Sequence, residues 1–436
     1  NCNNFRELML NNMKKGFYTI IFAQFFSSLA DNALLIVAIS ILVDMLAPSW
    51  MTPLLKLFFT ISYVFLAPFV GPFADSIEKG KVMFITNSIK ILGCILFFFH
   101  IHPLVAYTVV GFGAASYAPA KYGILTELLP PEKLVFANGW LESTTVISIL
   151  FGTLLGGFLI SNIFSTFFLS LPIATSLNIT NTSEAALIII VLIYMLATAF
   201  NLFIPKTNAR YTILSKNPAL LLQRFLASNR ILWNDKVGQI SLAVTTLFWG
   251  AGATLQFIVL LWAQVHLNMT LDKAAMLQGI VAVGIILGSI IAGKLISLKN
   301  SIKVLPIGIL MGFVVPMMTL TSSLIPASML LVIIGVLAGS FVVPMNALLQ
   351  HRGYVTLSAG QSIAVQNFNE NLNVLFMLGI YSFLLYANLD VNIIVALFGG
   401  FVAITMYAVT IMCAQNQKKV NFDTMIGDKG AATLQK

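Results

Sequence analysis

Apolar runs broken by proline, glycine and charged residues divide the chain into twelve stretches near the roughly 20 residues that a helix needs to cross a bilayer. They fall at 17-46, 52-74, 82-101, 103-126, 138-161, 184-204, 238-266, 274-297, 303-323, 326-350, 360-387 and 391-414. Two of them carry a polar stripe at helical spacing. In the first, Gln24, Ser27, Ser28 and Asp31 recur every three and four residues, with Asn32 beside the acid. In the eleventh, Gln366, Asn369, Glu370 and Asn373 do the same. A carboxylate at bilayer depth costs at least about 2.5 to 3.5 kcal/mol, so Asp31 is expected to face a partner or a hydrated cavity. Stripes in opposite halves point to one shared central cavity. Asn138, Glu142 and Thr145 add the fifth segment to its wall, although Glu142 lies near enough to the cytoplasmic end to serve as an interfacial carboxylate instead.

Composition supports membrane insertion. Of 436 residues 58% are hydrophobic and 9% charged, against roughly 25% charged in a soluble domain. The net charge of +9 reads as topology rather than nucleic-acid binding. With a cytoplasmic N-terminus, Arg6, Lys14, Lys15, Lys79, Lys81, Lys133, the six cations from Lys206 to Lys236 (Arg210 and Lys216 among them), Lys294, Lys299, Lys303, Arg352 and those from Lys418 onward (including Lys429 and Lys436) all fall on one side. Only Lys56 and Lys273 fall opposite, so both ends are expected in the cytoplasm. Cys2, Cys94 and Cys413 lie far apart and fit neither a disulfide framework nor a metal site. No cleavable leader is expected, because the first apolar stretch is long and leads directly into a second span.

The layout predicts a cytoplasmic extension at 1-14, a six-helix bundle at 15-204, a basic linker at 205-237, a second six-helix bundle at 238-414 and a cytoplasmic tail at 415-436. Apolar residues at helical spacing from Ala219 to Trp233 predict an amphipathic linker helix, acting either as a mechanical link or as a lipid-anchored tether. Gly111-Phe-Gly-Ala-Ala-Ser116 is echoed by Gly335-Val-Leu-Ala-Gly-Ser340, as a parallel repeat would require. The loop Gly71-Pro-Phe-Ala-Asp75-Ser-Ile-Glu-Lys79-Gly80-Lys81 resembles the loop motif of the major facilitator superfamily. Gly71 would permit close helix contact, Asp75 would cap or pair across a cytoplasmic gate, and Lys79 and Lys81 would sit at headgroup level.

Enzyme signatures are missing from the chain. There is no phosphate-binding Gly-x4-Gly-Lys-Ser/Thr loop, no His-x4-Asp, no Gly-x-Ser-x-Gly, and His100, His102, His266 and His351 make no metal pair at helical spacing. The expectation is a protein without catalysis, cofactor or metal. Two lysines stand inside spans. Lys90, close beyond Lys81, is expected to snorkel toward the interface. Lys121, two residues after Pro119, is expected to meet a carboxylate (Asp31, Glu142 or Glu370) or a substrate phosphate.

Ala23-Gln-Phe-Phe-Ser-Ser-Leu-Ala-Asp31-Asn-Ala-Leu-Leu35, Ala67-Pro-Phe-Val-Gly71, Tyr117-Ala-Pro-Ala-Lys-Tyr-Gly-Ile-Leu125, Phe248-Trp-Gly-Ala-Gly252, Val342-Val-Pro-Met-Asn-Ala-Leu-Leu-Gln350 and Ala364-Val-Gln-Asn367 with Glu370-Asn371 together resemble the bacterial lysophospholipid transporters, from about Lys15 to about Cys413. That resemblance implies an all-α membrane protein of the major facilitator superfamily fold, with twelve transmembrane helices in two six-helix bundles. It implies a multi-pass protein of the bacterial inner membrane moving lysophosphatidylethanolamine and lysophosphatidylglycerol to the inner leaflet. There an acyl carrier protein synthetase/acyltransferase partner re-acylates them. It marks Asp31, Asn32, Lys121, Glu142, Gln256, Asn346, Gln366 and Glu370 as pathway residues, and a monomer as the working unit. Gln256 is a departure, standing where an arginine is expected. Two other readings stay open: a proton-coupled exporter of amphipathic molecules, and a non-transporting scaffold for an acyltransferase.

Overall fold

The computed structural model describes residues 2–47, 51–172, 179, 181–207, 209, 215, 217–269 and 271–427, with backbone alone at 2–14, 52–53, 271–273, 275–276 and 427. Arg210, Lys216, Lys429 and Lys436 lie outside the described residues, as do the side chains of Cys2, Arg6, Lys14 and Lys273.

Among the described residues the regular structure is entirely helical. The helices are α1 (Cys2–Asp44), α2 (Met51–Phe65), α3 (Ala67–Ala74), α4 (Lys79–Phe98), α5 (Pro103–Leu128), α6 (Leu134–Leu159), α7 (Asn162–Leu169) and α8 (Thr182–Leu202). There follow α9 (Pro218–Asn234), α10 (Gly238–His266), α11 (Leu271–Leu295), α12 (Leu305–Val314), α13 (Leu324–Thr356), α14 (Ala359–Tyr386), α15 (Val391–Gln417) and α16 (Phe422–Gly427). Nine described helices are long and apolar enough to cross a membrane, and α2 with α3 together have that length and apolarity across a bend of 63°. The second stretch is therefore not one straight helix as expected. Pro68 at the start of α3 has no N–H to continue the α2 ladder and its ring crowds the preceding turn. The ninth stretch is likewise interrupted. α12 is flanked by 3-10 turns at Leu298–Val304 and Val315–Leu320, with Pro306 and Pro316 at the joins.

Two more helices have the length to span, α5 with 26 residues and α14 with 28. Both are less apolar than the other nine. These are the helices that carry Lys121 and the Gln366–Asn373 stripe, so their polarity reflects what they hold rather than a different fold.

Packing groups the chain into two compact units. The first contains residues 1–128, 147–223 and 359–364; the second contains 129–146, 224–358 and 365–436. The core of the first is built by α1, α4, α5 and α8 around Leu34, Cys94, Val110 and Tyr194. The core of the second gathers Trp262, Met318, Leu331 and Val395. In the second unit α11 and α13 approach through glycines, since a methyl on Gly335 would stand 2.9 Å from the Gly284 Cα. Small residues are what allow membrane helices to come this close. Gly111 does the same for α5 against α2, where a methyl would stand 2.9 Å from Ser62 Oγ. Both copies of the sequence echo are thus close helix contacts.

The linker helix α9 is docked. Asn369 Oδ1 on α14 accepts from Trp233 Nε1 at 3.2 Å, and Asn369 Nδ2 donates to Asn229 Oδ1 at 2.9 Å. Phe225 meets Phe368 edge-on at 5.3 Å. These contacts all lie within the second unit.

Candidate functional site

In the first unit the α1 stripe turns toward α4 and α8. Lys90 Nζ donates to Asp31 Oδ2 at 2.8 Å and to Ser27 Oγ at 3.0 Å, while Tyr194 Oη donates to Asp31 Oδ1 at 2.6 Å. Ser27 in turn donates to Asn87 Oδ1 at 2.8 Å. The rings of Tyr117 and Tyr194 lie 5.0 and 5.7 Å from the ammonium, where each ring face attracts a cation. Lys90 therefore does not snorkel; its side chain is 2% exposed. A carboxylate within reach outweighs the route to the interface, because an ammonium buried without its partner costs about 3 to 5 kcal/mol. Asp31 keeps 18% of its side chain exposed, so the acid is the accessible member of the pair.

The other residues of this unit expected to line a pathway are placed differently. Asn32 donates to the Ser28 carbonyl one turn back on its own helix. Lys121 is buried with its ammonium 4.3 Å from the Tyr122 ring. Asp31 is bonded to Lys90 and Tyr194 rather than to Lys121.

The second unit joins Glu142, Asn346, Gln366 and Glu370 into one chain. Asn346 Nδ2 donates to Glu142 Oε1 at 3.3 Å, Gln366 Nε2 donates to Asn346 Oδ1 at 3.0 Å, and the same nitrogen donates to Glu370 Oε1 at 2.7 Å. Glu142 is buried within this network, so it is more than an interfacial carboxylate. Below the chain Asn138 and Gln350 exchange reciprocal amide bonds of 2.9 Å. Gln256 is outside this group. It is exposed and pairs with Gln278 at 2.9 Å.

The loop motif is bound to the start of α14, within the first unit. Asp75 accepts from the backbone N–H of Gly360 at 2.9 Å and of Gln361 at 3.1 Å, an anion seated on the positive end of a helix. Gly71 makes room for this, since a methyl there would stand 2.9 Å from the Gln361 Cα. Lys79 is buried at 1% exposure. It bonds Asp75 at 2.6 Å and the Ala74 carbonyl at 2.7 Å, with Glu127 at 3.5 Å. Lys79 thus belongs to the buried network rather than to the headgroup level, because two carboxylates hold its charge inside. Lys81 is exposed and pairs with Glu78 at 3.2 Å. Gly80 lies against Asn201 and Ile204 at the end of α8.

Several members of these networks escaped the sequence reading. Tyr194, Asn87 and Glu127 carry no local signal, since their partners stand far away in sequence. Arg352 and Asp235 form a bidentate pair at 2.7 and 3.1 Å, with Asp235 also accepting from Gly238 N–H at the start of α10. A buried position for Arg352 was foreshadowed only by its place at the end of a long apolar run.

Two buried polar clusters in a long-helix membrane scaffold, with a charged loop clamped onto a helix start, define a polytopic transporter. The chain belongs to the Major Facilitator Superfamily, whose model matches residues 20–372. It is 41% identical over 372 residues to the lysophospholipid transporter LplT of Yersinia pestis (strain Pestoides F), covering 85% of this chain and 87% of that protein. The protein of the same name from Yersinia pseudotuberculosis serotype O:3 (strain YPIII) matches equally. Among solved structures, the transporter FucP superposes with a TM-score of 0.69 at 13% identity, covering 93% of this chain and 99% of that one. The human organic anion transporter MFSD10 superposes at 0.68 with 15% identity, covering 91% and 99%. These relatives are transporters, and no enzyme family is indicated. The chain is a multi-pass membrane protein.

Proposed function

We propose that this chain transports lysophospholipids, such as lysophosphatidylethanolamine and lysophosphatidylglycerol, from the outer to the inner leaflet of the bacterial inner membrane by alternating access. In this reading both termini are cytoplasmic and the monomer is the working unit, with 15–204 and 238–414 as its alternating halves. An acyl carrier protein synthetase/acyltransferase re-acylates the delivered lipid. Identity of 41% to lysophospholipid transporters carries the substrate class, and the buried clusters supply matching chemistry.

A headgroup ammonium competes with Lys90 for the accessible Asp31 carboxylate, leaving the lysine to its two tyrosine rings for the duration. Lys121 takes the phosphate, as a cation in a low-dielectric site binds an anion more strongly than it does in water. Glu370, held by Gln366, balances charge in the second cluster. Asp75 holds the gate by capping α14. The test is movement of labelled lysophosphatidylethanolamine by purified protein in vesicles. Lys121→Ala is expected to slow it, and an undiminished rate removes the phosphate role.

A further inference from the structure

A recess of about 190 Å³ opens at the start of α4, within the first unit; Lys79, Gly80 and Lys81 of the loop motif line it, while Asp31, Lys121 and Glu370 do not. Its wall is the first turn of α4 from Glu78 to Lys81, the end of α8 at Asn201 and Leu202, and Lys206 beyond. We propose that this recess binds a phosphate group, carried on a lipid headgroup or as soluble phosphate.

Four observations carry it. No side chain caps the first turn of α4, although Glu78 holds the N-cap position, and an uncapped helix start favours an anion. Asn201 is 1% exposed and, among the described residues, neither its Oδ1 nor its Nδ2 has a partner. A buried amide left unsatisfied is costly, so a ligand offering oxygen acceptors fits it. Lys81 and Lys206 both line the recess with side chains 63% and 77% exposed, so two cations face it from an accessible surface. Finally, the space greatly exceeds what one water needs, and Phe84 and the exposed Leu202 give it an apolar flank.

Glu78 is the carboxylate in the wall, bonded to Lys81 at 3.2 Å and Lys206 at 3.3 Å. Its carboxyl is held below the ordinary value, first by the Lys81 hydrogen bond and then by Lys206, which marks a positive local field. Inorganic phosphate, with more charge and more acceptor oxygens than one carboxylate, displaces Glu78 from the two lysines, whereas a lipid phosphodiester matches the carboxylate in charge and gains over it through the Asn201 amide and the first turn of α4. The Lys79 ammonium stays with Asp75 and is not needed.

The experiment uses the full chain purified in a phosphate-free detergent. Phosphatidylglycerol adducts are counted by native mass spectrometry, and thermal unfolding is followed with inorganic phosphate against chloride at equal ionic strength. Two variants accompany the parent: the exposed double change Lys81→Gln with Lys206→Gln, and the isosteric Asn201→Asp, which sets a negative charge in the recess. Saturable binding is expected, weakened about tenfold in each variant. Binding of phosphatidylglycerol alone assigns the recess to a lipid phosphate, of inorganic phosphate alone to a soluble one, and of both to the group itself. If the parent binds neither probe, or binding survives both variants undiminished, the assignment is overturned. Should Asn201→Asp fail to fold, the double lysine variant still decides. The readout is binding, so it stands or falls separately from lysophospholipid movement.

Discussion

Lys90 Nζ stands 2.8 Å from Asp31 Oδ2, with the lysine side chain 2% exposed and the acid 18%. The pair is asymmetric: the cation is sealed between α1, α4 and α8, while the anion keeps an open side. Replacing Lys90 by Met leaves an uncompensated carboxylate and is expected to cost about 3 to 5 kcal/mol. Adding Asp31→Asn is expected to recover most of that. Thermal unfolding in detergent checks both, and a double variant no more stable than Lys90→Met contradicts the pairing.

The clamp of Asp75 on α14 gives a graded pair of changes. Asp75→Asn keeps the shape but loses the charge at the helix start and beside buried Lys79, which retains Glu127 at 3.5 Å, for an expected cost of at least about 1 to 2 kcal/mol. Gly360→Ala is expected to be worse, because its new methyl would stand 2.6 Å from the Gly71 carbonyl oxygen and 2.7 Å from Asp75 Oδ1. Unfolding midpoints in that order support the close approach; a neutral Gly360→Ala refutes it.

In the second unit, Asn346 and Gln366 share one bond within the chain from Glu142 to Glu370. Interhelical hydrogen bonds in membrane proteins average about 0.6 kcal/mol in double-mutant cycles. The cycle of Asn346→Ala with Gln366→Ala is expected to show coupling of about that size or larger. Strict additivity would mean the bond contributes nothing.

Gln256 is exposed and, among the described residues, bonded sideways to Gln278. Gln256→Arg is therefore expected to leave stability within about 0.5 kcal/mol. Through its added charge it is expected to shift preference toward the anionic lysophosphatidylglycerol. Competition between the two lysolipids in vesicles measures the ratio, which stays at the parent value if Gln256 does not touch the pathway.

The spans and the two stripes were legible because burial in lipid leaves few polar residues, and those few stand out at helical spacing. What local pattern could not supply was partnership. Lys90 read as a snorkelling lysine because its distance from Lys81 is visible in sequence, whereas Asp31 and Tyr194 reach it only after three helices pack. Lys79 misled in the same way: a basic residue in a loop motif resembles an interfacial anchor until Asp75 and Glu127 enclose it. The bend between α2 and α3 was carried in plain view by Pro68, but a run of apolar residues on both sides masked it. The recess beside Asn201 had no signal at all, since a single asparagine at a helix end says nothing about whether its amide finds a partner.

The most direct test reconstitutes the protein in vesicles and follows a fluorescent lysophosphatidylethanolamine from one leaflet to the other. The account predicts movement faster than in protein-free vesicles, slowed about tenfold or more by Asp31→Asn and by Glu370→Gln, as loss of a charged hydrogen-bond partner entails. Movement no faster than in empty vesicles, or unchanged in both variants, would contradict it.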